Sequence, residues 1–205
     1  MRIKICGLFR GEDIDYVNEA RPDYAGFVFA GSKRQVSAVL AQYLRFRLAD
    51  DIIPVGVFMN ARIADVAALY RNGVISIAQL HGGEDESYIS ALKKKCDTGN
   101  SEPIRIIKVI KSEELKSGIC ATAADYYLVD SGAGTGKTFN WQQLNPIKFQ
   151  KPWFLAGGVN LKNIKQAMAL NPFAVDISSG AETDGIKDRE KILQLVSIAR
   201  KGNIQ

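Results

Sequence analysis

At 205 residues, with 46% hydrophobic and 24% charged residues, the chain can bury one sizeable core, and its balance argues against a disordered chain and against a membrane protein. The formal charge of +5 is spread over scattered Lys and Arg. The one basic run, Lys93-Lys94-Lys95, has no interleaved aromatics, so it reads as a solvated helix face rather than a nucleic-acid surface, while a mild positive field suits a phosphorylated ligand.

No apolar run has the length of a membrane span, and Met1–Gly7 lacks the apolar stretch of a signal peptide, so a cytoplasmic chain without a membrane partner is expected. Cys6, Cys96 and Cys120 show neither CxxC spacing nor a neighbouring His. Neither a disulfide framework nor a metal site is therefore expected.

Apolar, β-branched runs recur every ~20–30 residues, the size of one βα unit. They are Ile3–Cys6, Tyr24–Phe29, Ile53–Met59, Ile75–Leu80, Ile104–Ile110, Tyr126–Asp130, Trp153–Ala156 and Ala174–Ile177. Several are continuously apolar, as strands of a parallel sheet covered on both faces must be. Between them, Glu12–Ala20, Ser37–Ala49, Ala61–Arg71, Glu84–Lys95, Leu161–Leu170 and Asp188–Lys201 place apolar residues three or four apart, the spacing of a helix packed on a sheet. Asn60 and Asn160 stand where N-caps are expected.

After strand five, Ser112–Ala124 contains Gly118 and little periodicity, so an irregular or missing helix is expected there. After strand six, a Gly-rich loop leaves room for only a short helix before Pro152. Eight such units in one domain spanning 1–205 predict a minimal (β/α)8 TIM barrel. The rival, an open doubly wound sheet, ordinarily carries a Gly-rich turn after strand one, where this chain has Cys-Gly alone.

A barrel builds its site at the C-terminal ends of the strands. Those positions hold Cys6, Arg34, Asn60, Gln79, His81, Asp130, Gly157-Gly158, Asp176 and Ser178-Ser179-Gly180. Asp130 and Asp176 each end an apolar run, where an unpaired carboxylate would be expensive, so a functional role is expected of them. Cys6 and His81 fit a buried packing role as well as a chemical one. The Gly and Ser turns after strands seven and eight lie where barrels commonly bind phosphate through backbone N–H groups. Ser131–Thr138 imitates a P-loop, but Ser131 stands where Gly is required and Phe139-Asn140-Trp141 starts a helix poorly. A glycine-rich lid over a phosphorylated substrate is the better account of that segment.

Read together, the segments Lys4-Ile5-Cys6-Gly7, Gly26-Phe27-Val28-Phe29, Ser32-Lys33-Arg34, Gly56-Val57-Phe58, Gln79-Leu80-His81-Gly82 and Asp130 with Gly134-Thr135-Gly136 form the first part of a pattern. It continues with Phe139 and Trp141, Leu155-Ala156-Gly157-Gly158, Val175–Glu182 and Gly185 with Lys187-Asp188. In this order, over nearly the whole chain, they resemble the phosphoribosylanthranilate isomerases of tryptophan biosynthesis.

The resemblance implies a barrel without cofactor or metal, acting as monomer or homodimer on a small phosphorylated substrate. It implies an Amadori rearrangement of N-(5-phosphoribosyl)anthranilate to 1-(2-carboxyphenylamino)-1-deoxyribulose 5-phosphate. Cys6 would be the general base and Asp130 the general acid. Gly157, Gly158, Ser178, Ser179 and Gly180 would hold the phosphate, Arg34 would pair with the anthranilate carboxylate, and His81 and Asp176 would line the substrate site.

The acid protonates the ring oxygen so that the furanose opens to a Schiff base; the base then removes the C2 proton to give an enolamine, which tautomerises to the ketone. Cysteine acts as a base only as thiolate, so its pKa is expected to fall from about 8.5, while the acid must hold its proton above a reference near 4. Two departures stand out: Lys33 replaces the proline common in the family, leaving the stiffness of the Arg34 loop open, and Phe9-Arg10-Gly11 is an unusual start to the first loop. Two other readings remain: the histidine-pathway isomerase, against which Cys6 and the single evident phosphate site speak, and a nucleotide-binding module in which Lys137 would be essential.

Overall fold

The computed structural model describes residues 1–99, 102–111, 123–130, 141–144 and 149–202. Eight parallel strands close into a barrel in sequence order: β1 (Arg2–Cys6), β2 (Tyr24–Val28), β3 (Ile53–Phe58), β4 (Ile77–Leu80), β5 (Arg105–Lys111), β6 (Tyr126–Asp130), β7 (Trp153–Ala156) and β8 (Ala174–Ile177). Each run expected as a strand is one, with ends shifted by a residue or two. The helices are α1 (Gly11–Ala20), α2 (Ala38–Arg47), α3 (Ile63–Arg71), α4 (Glu86–Cys96), α5 (Ile164–Ala169) and α6 (Arg189–Lys201). A 3₁₀ turn spans Trp141–Leu144, and a small antiparallel ribbon joins β9 (Glu182–Thr183) to β10 (Ile186–Lys187). The irregular segment expected after β5 and the glycine-rich lid fall on 112–122 and 131–140, outside the described residues.

Two apolar layers follow from the alternation of strand side chains. Ile3, Ile5, Phe27, Leu80, Val129, Leu155 and Ile177 face outward and are buried under the helices, joined by Ile14, Leu44, Val66, Leu92, Ile164 and Leu195. Tyr24, Val55, Ile77, Ile107, Val109, Leu128, Phe154 and Ala174 fill the interior. Each large apolar side chain buried in this way contributes roughly 1.5–3 kcal/mol. The edge-on contacts of Phe154 with Tyr24 and Tyr126, at 5.4 and 5.7 Å between centroids, close the lower part of the barrel as packed core.

Helix starts depend on Ser37, Asp85 and Asp188, whose side chains accept from Leu40, Tyr88 and Lys191 N–H. Asn60 does not cap its helix as expected, whereas Asn160 caps the turn that leads into α5, its Oδ1 accepting from Lys162 N–H and its carbonyl from Ile164 N–H. Asn60 is left-handed (φ 52°), and its Oδ1 accepts from Gly83 N–H, tying the loop after β3 to the loop after β4. Asn160 folds back to donate to Gly158 O. The Asn60 amide found its partner in a neighbouring loop rather than at the helix end, a tertiary choice that local spacing does not reveal. No helix among the described residues is long and apolar enough to cross a membrane.

Candidate active site

The inward positions of β1 and β8 at the upper end of the barrel are polar, and they build the site. Cys6 ends β1, opposite Gly26 of β2 in register. A Cβ at Gly26 would lie 2.6 Å from the Cys6 sulfur, so glycine makes the space the thiol occupies. Gly7 turns the chain at φ 80°, and a Cβ there would meet the Arg34 side chain at 2.5 Å. The Arg34 side chain thus lies directly against the backbone that follows the cysteine.

Arg34 is held by Glu182: Nε donates to Oε1 at 2.6 Å and Nη2 to Oε2 at 2.7 Å. Lys187, with its side chain fully buried, donates to the same Glu182 Oε1 at 2.5 Å and to Ser178 O at 3.0 Å. The hairpin β9–β10 therefore clamps both the arginine and the turn after β8. The loop carrying Arg34 is pinned without the family's proline, since Ser32 Oγ accepts from Arg34 N–H and Val36 N–H pairs with Val28 O. The unusual first loop is fixed by buried Asp13, which accepts from Phe9 N–H, Arg10 N–H and the Arg10 guanidinium.

Beneath Cys6 lies Lys4, fully buried, whose Nζ donates to Asp176 Oδ2 at 2.7 Å and Gln79 Oε1 at 2.8 Å. Asp176 faces Lys4 in the β1–β8 register, and its Oδ1 is buried without a hydrogen-bond partner among the described residues. On the far side of the mouth, Asp130 ends β6, and its Oδ2 is 3.4 Å from His81 Nε2. His81 and Asp130 remain partly accessible, at 27% and 15% of their side chains. Gly157 and Gly158 both adopt positive φ, and a Cβ at Gly180 would lie 1.9 Å from Val159 O, so the turns after β7 and β8 abut. Among the described residues no three His, Cys, Asp or Glu side chains converge as a metal site requires.

Burial pushes the Cys6 thiol above its ordinary value, a shift reinforced by the Asp176 carboxylate and opposed by the ammonium groups of Lys4 and Lys187. The depression expected from sequence is absent, because this sulfur is removed from water more completely than a strand-end position suggests. Burial also disfavours the Lys4 charge, but Asp176 and Cys6 together outweigh it and the ammonium is held above its usual value. Lys187 is lowered, chiefly by burial.

The matching family profile, described as "N-(5'phosphoribosyl)anthranilate (PRA) isomerase", covers residues 3–198. The chain belongs to this family. An N-(5'-phosphoribosyl)anthranilate isomerase of Endomicrobium trichonymphae is 46% identical over 97% of this chain and 98% of its own. The crystal structure of phosphoribosyl anthranilate isomerase from Thermotoga maritima superposes with a TM-score of 0.86 at 29% identity, covering 98% of this chain and 99% of that one. A phosphoribosyl anthranilate isomerase in complex with reduced 1-(o-carboxyphenylamino)-1-deoxyribulose 5-phosphate superposes at 0.81 and 27% identity, over 98% and 99%.

Of the isomerase residues expected from sequence, the fold brings Cys6, Arg34, Asp176 and Ser178 into one connected cluster and sets His81 beside Asp130 across the mouth. Sequence reasoning left Lys4, Glu182 and Lys187 without roles. The available signal was a lysine two residues before Cys6 inside an otherwise apolar strand, and a Glu182–Lys187 pair flanking a Gly185 turn.

Proposed function

We propose a division of labour at the barrel mouth for the isomerisation of N-(5'-phosphoribosyl)anthranilate. The chain is an isomerase of tryptophan biosynthesis that converts this compound to 1-(2-carboxyphenylamino)-1-deoxyribulose 5-phosphate. In our reading, residues 1–205 form one domain acting in the cytoplasm, and Asp130 is the general acid while Cys6 is the general base. The observation that carries the assignment is that a thiol and a carboxyl group end β1 and β6, three strands apart around one mouth, where a ring oxygen and a C2 proton on opposite sides of a sugar could be served together.

Each step then has an owner. Backbone N–H groups of Gly157, Gly158, Ser178, Ser179 and Gly180 bind the phosphate, which fixes the sugar at one end. Arg34 offers the guanidinium edge that Glu182 leaves open to the anthranilate carboxylate, a planar partner for a planar acid. Asp130 gives its proton to the ring oxygen, the ring opens, and His81 at 3.4 Å steadies the carboxylate that results. Cys6 as thiolate takes the C2 proton, the C–H electron pair forms the enolamine double bond, and tautomerisation yields the ketone. Asp176 lines the floor, its Oδ1 supplying an acceptor not already committed within the described residues.

The test is direct. Purified protein receives phosphoribosylanthranilate generated in situ, and loss of anthranilate fluorescence is followed without metal or nucleotide. Turnover is expected, and its absence in folded protein would overturn the assignment.

A further inference from the structure

An ammonium group has three N–H donors, and taking one out of water costs several kcal/mol unless those donors are met. Lys4 is fully buried on the inward face of β1, its Nζ donates to Gln79 on β4 and Asp176 on β8, and Cys6 lies two residues along its own strand on the same face. Two acceptors from two other strands thus meet two of the three donors. The layer below is apolar, with Val55, Ile77, Phe154 and Ala174 filling the interior, so a methionine-sized side chain would serve packing alone. A charge at this depth needs another reason.

The groups around the thiol supply one. Lys4 of β1, Arg34 of the loop after β2 and Lys187 of β10 all interact electrostatically with Cys6, and so does Asp176 of β8. Glu182 of β9 is paired with Arg34 and Lys187. Among the described residues three cations face two carboxylates, so one positive charge is left unmatched while Cys6 carries its proton. A thiolate would match it.

We propose that Lys4 is a positioning residue for proton abstraction: its buried ammonium, oriented by Gln79 and Asp176, holds the Cys6 sulfur in place and balances the charge of the thiolate. The inference rests on the reading of Cys6 as base. Lys4 donates no proton in turnover; the thiol proton leaves to solvent before the reaction, and the C2 proton of the Schiff base arrives on sulfur during it. Asp176 has a double effect, since it keeps Lys4 charged and oriented while its own negative charge opposes the thiolate. Removing one charge or the other must therefore move Cys6 in opposite directions, which a purely structural role does not predict.

The test reads the sulfur without the isomerase substrate, so its failure is distinguishable from failure of the functional assignment. The full chain is treated with iodoacetamide across a pH series, and modification of the Cys6 peptide is timed by mass spectrometry. Because an opposite charge a few ångströms away shifts a titration by about 1–3 units, Lys4→Met should slow Cys6 alkylation at pH ~8 at least about tenfold. Asp176→Asn should speed it several-fold. Lys4→Met should also lower kcat with a smaller change in KM. Alkylation that is unchanged, or that moves the same way in both variants, overturns the proposal. If Lys4→Met does not fold, by circular dichroism, the decision passes to Lys4→Gln: Cys6 alkylation slowed to the same degree supports the proposal, and a wild-type rate refutes it.

Discussion

Gly26→Ala should disable the enzyme through a single methyl group that touches no substrate. The added carbon would lie 2.6 Å from the Cys6 sulfur, 3.0 Å from Cys6 Cα and 3.1 Å from its Cβ. Carbon contacts relax at about 3.5–4.0 Å, so the sulfur must move by roughly 1 Å. It has little room, because the sulfur is buried and the Arg34 side chain packs against Gly7, the next residue. Overpacking of this kind costs about 1–3 kcal/mol, a fall in Tm of several degrees for a chain of this size. The catalytic effect is larger in relative terms, since a 1 Å misplacement of a reacting group costs on the order of 10²-fold in rate. The assay is kcat and KM from anthranilate fluorescence beside a thermal melt, with Gly31→Ala, whose added carbon meets nothing within 4 Å, as control. We expect kcat to fall about 100-fold in folded Gly26→Ala, with KM changed far less. Wild-type kcat in a folded variant would refute the view that this glycine sets the position of the base.

Further outcomes are expected. Cys6→Ser and Asp130→Asn should each lower kcat by a factor on the order of 10² or more, while Lys137→Ala should cost far less; a fully active variant of either of the first two removes that residue from its role. Glu182→Gln loosens the two-pronged hold on Arg34, so KM should rise about tenfold with a smaller change in kcat, the scale of one bond to a charged group. An unchanged KM would detach Arg34 from substrate binding. Burial pushes the Glu182 carboxyl up, but its bonds to Arg34 and Lys187 win and hold it below the usual range. Its contribution to stability is therefore present above the ordinary carboxylate pKa of about 4.3 and lost as the pH falls through the lowered folded value. The Tm gap between wild type and Glu182→Gln should accordingly close in acid. Because burial raises the Cys6 thiol, alkylation of Cys6 by iodoacetamide should climb with pH through and past the ordinary thiol value of about 8.5, and a rate flat across that range would refute the raised thiol.

The order of the eight strands, the helices between them and the strand-end positions of Cys6, Asp130 and Asp176 are determined locally. Apolar runs such as Phe154–Ala156 can only be buried on both faces, and the 3.6-residue spacing of Ile192, Leu195, Val196 and Ala199 can only cover such a sheet. Given the barrel, the C-terminal strand ends name the site. What the sequence does not contain is which side chains meet across the barrel. Lys4 and Asp176 are far apart along the chain and 2.7 Å apart in space, and only closure of β1 against β8 joins them. Arg34 and Glu182 pair because the β9–β10 hairpin folds back over the mouth. Asn60 left its expected cap for the same reason, since its amide is claimed by Gly83 of the loop that the fold brings beside it, while Asn160 keeps the local capping role its spacing suggests. The direction of the Cys6 shift also lay beyond the sequence: residue types set which groups can titrate, but burial and distance decide how far, and those exist only once the strands have closed.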